Sequence, residues 1–171
     1  MPNTESASST YRIAVIPGDG IGSEVMDSAL QVLAVVAAAR GIAFDFELLP
    51  WGCDYYQQHS ELMPSSGLSL LADVDAILLG AVGRPDVPDH VSLWGLLVPI
   101  RRAFEQYVNL RPVRLLPGVS SPLRGVEAKD LDLVIVRENS EGEYSQVGGT
   151  GQRRDPARLC RAGVNLHLPG M

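Results

Sequence analysis

Lysine is nearly missing from this chain: Lys129 is the single one in 171 residues. With a formal net charge of −6, the sequence lacks the polybasic surface that nucleic acid or an anionic membrane requires, so neither is expected as a partner. Cysteine is scarce as well. Cys53 and Cys160 have no metal-ligand neighbours at useful spacing, and two cysteines do not build a disulfide framework, so both are expected to be structural. No segment reaches the roughly 20 apolar residues of a bilayer-spanning helix, and the longest apolar stretch, Leu30 to Ala39, is interrupted by Gln31 and reads as a core helix. The opening MPNTESASST has neither the basic start nor the apolar middle of a secretory signal. A cytoplasmic location is the expectation.

The composition that remains, 46% hydrophobic and 20% charged, suits a globular chain long enough for one ordinary domain. Charge is unevenly spread. Four arginines (Arg153, Arg154, Arg158, Arg161) and a single acid, Asp155, follow Thr150, whereas residues 1–149 hold the other 10 basic and 19 acidic side chains. The character of the chain changes near Gly149.

Tyr11 to Ile16 runs apolar and then meets Pro17-Gly18-Asp19-Gly20-Ile21-Gly22, which predicts a buried strand entering a glycine turn. A helix should follow, with Ser23 as its N-cap and Val25, Met26, Ala29, Leu30, Leu33 and Val36 at helical spacing, until Gly41 stops it. Ile42 to Leu49 alternates as a half-buried strand, Leu68 to Ala72 reads as a short helix, and Val74 to Leu79 as a buried strand. Leu93 to Phe104 is helical in pattern, with Pro99 expected to kink it or delay its start. Val108 to Leu115 and Leu131 to Val136 read as further strands. Strands alternating with helices give an α/β fold class.

The glycine turn sits where a dinucleotide fingerprint would, but the third glycine of G-x-G-x-x-G falls on Ser23. Its glycines could admit a ligand to the backbone or simply turn strand into helix. Asp19 also places a carboxylate where a pyrophosphate would approach. A Rossmann-type nucleotide-binding enzyme therefore stands as an alternative.

Three ordered motifs are more specific: IPGDGIGSEV, then LWGLLVPIRRAFEQYVNLRPVR, then VIVRENSEGEYS. Over roughly Tyr11 to Gly149 the chain resembles the β-decarboxylating dehydrogenases, the isocitrate/isopropylmalate dehydrogenase family, and its wording is most similar to the tartrate and D-malate branch. The resemblance implies an isopropylmalate dehydrogenase-like sheet with flanking helices, here incomplete. Residues 11–100 would begin the first domain and 101–149 the second.

What the resemblance implies chemically is oxidation of a small 2-hydroxy dicarboxylate by NAD, with Mg2+ or Mn2+ assisting loss of carbon dioxide, in a homodimer whose metal site borrows residues across subunits. Arg101, Arg111 and Arg137 match the family's substrate arginines, and guanidinium forks suit a dicarboxylate because they bind each carboxylate through paired hydrogen bonds. Tyr144 matches the tyrosine that assists protonation after decarboxylation. Leu96 and Leu97 match positions near the substrate's variable group and would serve equally as core residues. The family's lysine base, its metal-holding aspartates and its main adenine-nucleotide loop fall beyond the matched region, and Lys129 corresponds to none of them. No metal ligand is expected in this chain, and turnover by it alone is doubtful.

Family members continue after the double glycine with something similar to RVN-GTEHE-VVQ-S-FTRRG, whereas residues 150–171 read TGQRRDPARLCRAGVNLHLPGM. Read one nucleotide later, with permitted synonymous codons, this tail can encode a string close to the family's continuation. A frameshift near Gly149-Thr150 is the expectation. A third possibility, a non-catalytic binding protein using the arginine-rich tail, is weakened by the tail's want of lysines and aromatics.

Overall fold

The structure is a computed structural model that describes residues 9–140. By its internal contacts the chain divides into two compact units, residues 1–100 and 101–171.

The first unit is built on strand β1 (Thr10–Gly18), which lies between β2 (Ala43–Leu48) and β3 (Ala76–Ala81) and runs parallel to both. Ile13 pairs with Phe46 and Ala76, and Val15 with Leu48 and Leu78. A central parallel strand is covered on both faces, which is why Ile13, Ala14, Val15 and Ile16 read as an unbroken apolar run and are all buried. Helix α1 (Ile21–Arg40) returns over the sheet and sets Met26 against Ile13 and Val15, with Leu30, Phe44, Phe46 and Leu78 packed around them. Gly41 ends the helix in the left-handed region at φ 65°, and its amide donates to the Ala37 carbonyl.

Three expectations need correction here. Ser23 is not the N-cap: α1 begins at Ile21 and Gly20 precedes it at φ 54°, because the turn is already finished before Ser23. Nor is α1 a core helix on all sides. Only Gly22, Met26 and Ala37 are buried, and Ile21, Val25, Val32 and Val35 are exposed, so length and composition alone would let this helix pass as a membrane span. β3 is likewise less buried than VDAILL suggests, since it is an edge strand among the described residues.

Helix α2 (Cys53–His59), which the sequence pattern did not announce, follows β2, and α3 (Gly67–Ala72) precedes β3. Helix α4 (Asp89–Ser92) continues through a π-helical turn, Leu93–Leu97, into α5 (Val98–Ala103). Pro99 thus neither ends the helix nor delays it. A proline ring crowds the carbonyl four residues back and offers no N–H, and the wide turn just before it has the Val98 amide reaching five residues back to Leu93. The turn carries Leu96, which with Val98 and Ile100 is buried.

In the second unit β4 (Val108–Arg114) and β5 (Asp132–Glu138) form an antiparallel pair, with Asn109 opposite Arg137 and Arg111 opposite Ile135. The strands expected here exist, but they pair with each other instead of extending the α/β alternation. The described connection holds only a short 3-10 turn, Ala128–Asp130, and no longer helix of the kind that usually makes a parallel crossover.

Candidate functional site

Side chains alternate along a strand, and directly opposed residues of an antiparallel pair share a face. The register therefore puts Asn109, Arg111 and Arg137 on one face of the β4–β5 ribbon. Arg111 and Arg137 are diagonal neighbours there, a spacing of about 7–8 Å that two long side chains can converge across. Each guanidinium is held by an asparagine two residues away. Arg111 Nε donates to Asn109 Oδ1 at 2.7 Å, and an Arg137 terminal nitrogen donates to Asn139 Oδ1 at 2.8 Å.

Asn139 is 4% exposed and links the ribbon to the chain that enters it. Its Nδ2 donates to the Gln106 carbonyl at 3.1 Å, and its backbone amide donates to Tyr107 O at 2.9 Å. The Gln106 amide in turn donates to Arg101 O at 2.8 Å. A hydrogen-bonded path thus runs from the last turn of α5, where Arg101 sits half-buried, through Gln106 and Asn139 to Arg137. Neither asparagine stood out by residue type. The mirrored spacing Asn-x-Arg in β4 and Arg-x-Asn at the end of β5 is the sequence signal that marks them. Tyr144 lies outside the described residues.

In the first unit the carboxyl end of β1 forms the glycine turn. A Cβ on Gly18 would fall 2.1 Å from the Ala81 carbonyl oxygen, and one on Gly22 would fall 2.2 Å from that of Pro17. Backbone, not ligand, occupies the space those glycines leave. Asp19, 3% exposed, accepts from the amides of Cys53 (2.8 Å), Asp54 (3.3 Å) and Gly83 (2.9 Å). Burial opposes its ionisation, but these donors outweigh burial and hold its carboxyl below the usual range. Burial, and then the adjoining Asp19 carboxylate, push the Cys53 thiol up to about 11. Nearby, the Arg84 guanidinium binds Asp86 through Nε at 2.9 Å and also binds Asp54, while Gln57 donates to Asp86 at 2.7 Å. Asp86 first of all, and Asp54 after it, raise the Arg84 pKa further above its ordinary value.

Leu96 is wholly buried, so it is a core residue, while Leu97 is half-buried. A hollow of about 340 Å3 lined by Tyr56, Leu62, Met63, Leu68 and Val91 among others contains no cation, which makes it a poor receptor for a dicarboxylate. Among the described residues no three His, Cys, Asp or Glu side chains group as a metal site.

The described residues thus give a parallel sheet with covering helices and, further along the chain, a strand pair bearing braced arginines. The isocitrate/isopropylmalate dehydrogenase family matches residues 12–162, and the chain belongs to that family. It is 53% identical over 150 residues to a probable tartrate dehydrogenase/decarboxylase of Agrobacterium vitis, matching 87% of this chain and 42% of that protein. It is 55% identical over 142 residues to the D-malate dehydrogenase [decarboxylating] of Escherichia coli, matching 82% of this chain and 39% of that protein. Among solved structures it is similar to a beta-decarboxylating dehydrogenase from Thermococcus kodakarensis (TM-score 0.58, 35% identity, 77% of this chain and 35% of that one). The chain therefore spans about two fifths of the length of these curated relatives. The expected fold, α/β with an isopropylmalate dehydrogenase-like sheet and flanking helices, incomplete, is the one found.

Proposed function

We propose that this chain carries the front part of a cytoplasmic, homodimeric, NAD-dependent decarboxylating dehydrogenase for a small 2-hydroxy dicarboxylate of the D-malate or tartrate kind. The observation that carries the substrate class is the ribbon face on which Arg111 and Arg137 lie diagonally, each braced by an asparagine. Two guanidiniums at that spacing suit two carboxylates of one small acid, and bracing removes part of the ordering cost of binding. Arg101, tied through its carbonyl to Gln106, completes the set in this proposal. Tyr144, which matches the family's tyrosine by its motif, is assigned delivery of the proton that replaces the departing carboxylate.

NAD and a divalent metal are the family's cofactors. The described residues do not fit a metal, because no cluster of ligands exists among them. The chemistry these residues supply is carboxylate binding, orientation and proton delivery.

The decisive test compares NADH production from D-malate or tartrate, with NAD and manganese, by this chain and by a version restored to the downstream reading frame. Turnover in the restored protein that falls at least about 100-fold on Arg137→Gln is expected, from loss of a charge-assisted pair in a desolvated site. A restored protein that oxidises neither acid would overturn the proposal.

A further inference from the structure

We propose that Asp19 is a resident anion: its carboxylate fills a nest of backbone amides at the carboxyl edge of the parallel sheet and closes the β1–α1 glycine turn to phosphate. The donors come from two segments remote from Asp19 in sequence. Cys53 and Asp54, which open α2, address Oδ1 at 2.8 and 3.3 Å, and Gly83, just past β3, addresses Oδ2 at 2.9 Å. The backbone of the same residue is engaged too, its amide donating to Ala81 O at 2.6 Å and its carbonyl accepting from Gly22 at 2.9 Å.

Convergent backbone amides are the usual receptor for a phosphate or carboxylate. Here that receptor already holds a carboxylate from its own chain, and the fit is tight. A Cβ on Gly52 would lie 2.8 Å from Asp19 Oδ1, so the anion adds to the preference for glycine that a φ of 154° already sets at residue 52. Beside the nest lies a cavity of about 210 Å3, lined by Pro17, Gly18, Asp19, Ser23, Trp51 and Asp54 among others. Its charged walls are Asp19 and Asp54, and Arg84, the cation paired with Asp54, is bound to Asp86 as well. A phosphate entering there would meet two carboxylates and a lining without a cation. Asp19 is thus a positioning residue that pins α2 and the loop after β3 to the glycine turn, and this turn is not where a dinucleotide's phosphates bind. The inference rests on this geometry and is independent of the proposed substrate.

If Asp19 acts as an anion, a small free anion should replace it. In the full chain, Asp19→Ala opens space beside the cavity, and formate is the probe. Thermal unfolding is followed by the fluorescence of Trp51 and Trp94, both within residues 1–100. The midpoint of Asp19→Ala is expected to fall by at least about 5 °C. Formate should recover about half of that loss by binding the folded form, where chloride at equal ionic strength recovers little. The parent should gain no more from formate than from chloride. An Asp19→Ala midpoint equal to the parent's, or one that formate raises no more than chloride does, overturns the proposal. Should Asp19→Ala not fold, the isosteric Asp19→Asn decides: it loses the charge and points an amide at donors, so its midpoint must drop, and an unchanged midpoint overturns the proposal equally.

Discussion

Asn139 has its side chain and its backbone amide engaged while exposing 4% of its surface, so removing its amide leaves the Gln106 carbonyl and an Arg137 nitrogen without this partner. Asn139→Ala is expected to cost about 1–3 kcal/mol, measurable by urea denaturation. Asp19 makes a pH prediction. Its folded pKa lies below the unfolded value, so its stabilisation is complete above the unfolded pKa of about 3.9 and is lost as pH falls through the lower folded value. The stability of Asp19→Asn should therefore change less with pH below about 4 than that of the parent. For Cys53, a thiol pushed up to about 11 and fully buried yields little thiolate near neutrality. In a Cys160→Ser background, labelling by a disulfide reagent should be slow until denaturant is added. A fast reaction in the folded chain would show that Cys53 is open to solvent. At this scale the sequence displayed the charged candidates and hid their supports. Arg111 and Arg137 stood out within their motifs, whereas Asn109 and Asn139 gain their meaning from a cross-strand register that composition does not reveal.

At the scale of elements, the π-helical turn accommodates Pro99 while keeping Leu96, Val98 and Ile100 buried. Leu96→Ala, at a fully buried site, is expected to destabilise the first unit by about 2–5 kcal/mol in the same urea experiment. The strands β1 and β2 and the helix α1 were legible because local signals agreed: an apolar run, an alternating run, and a helical period stopped by Gly41. Helix α2 was not. Its CDYYQQH stretch is too short for a period to emerge, and what fixes its start is the remote Asp19 carboxylate receiving the Cys53 and Asp54 amides. The antiparallel pairing of β4 with β5 was equally hidden, because a strand pattern states that a segment is extended and not which segment it will lie against.

For the whole molecule, the second face of the β4–β5 ribbon presents Leu110, Val134 and Val136, each more than half exposed. This face, and separately the outward valines of α1, are apolar surface of the kind that promotes association. Leu110→Lys combined with Val136→Glu, placed opposite each other, should reduce light scattering at a given concentration. Unchanged scattering would place the sticky surface elsewhere. Residues 150–171 lie outside the described part, and the frameshift proposed for them predicts a family-like continuation one nucleotide downstream in the gene. Sequencing that DNA tests it directly.

The sequence by itself determined the family, the α/β class, the central strand and the identity of the candidate arginines, because apolar periodicity, glycine punctuation and ordered motifs are local properties of the chain. Tertiary structure alone decided that Gly18 and Gly22 make room for backbone, that Asp19 faces amides more than thirty residues away, and that two asparagines brace two arginines on one ribbon face. Those facts depend on strand order and register, which arise when distant segments compete to bury apolar surface and satisfy backbone hydrogen bonds together.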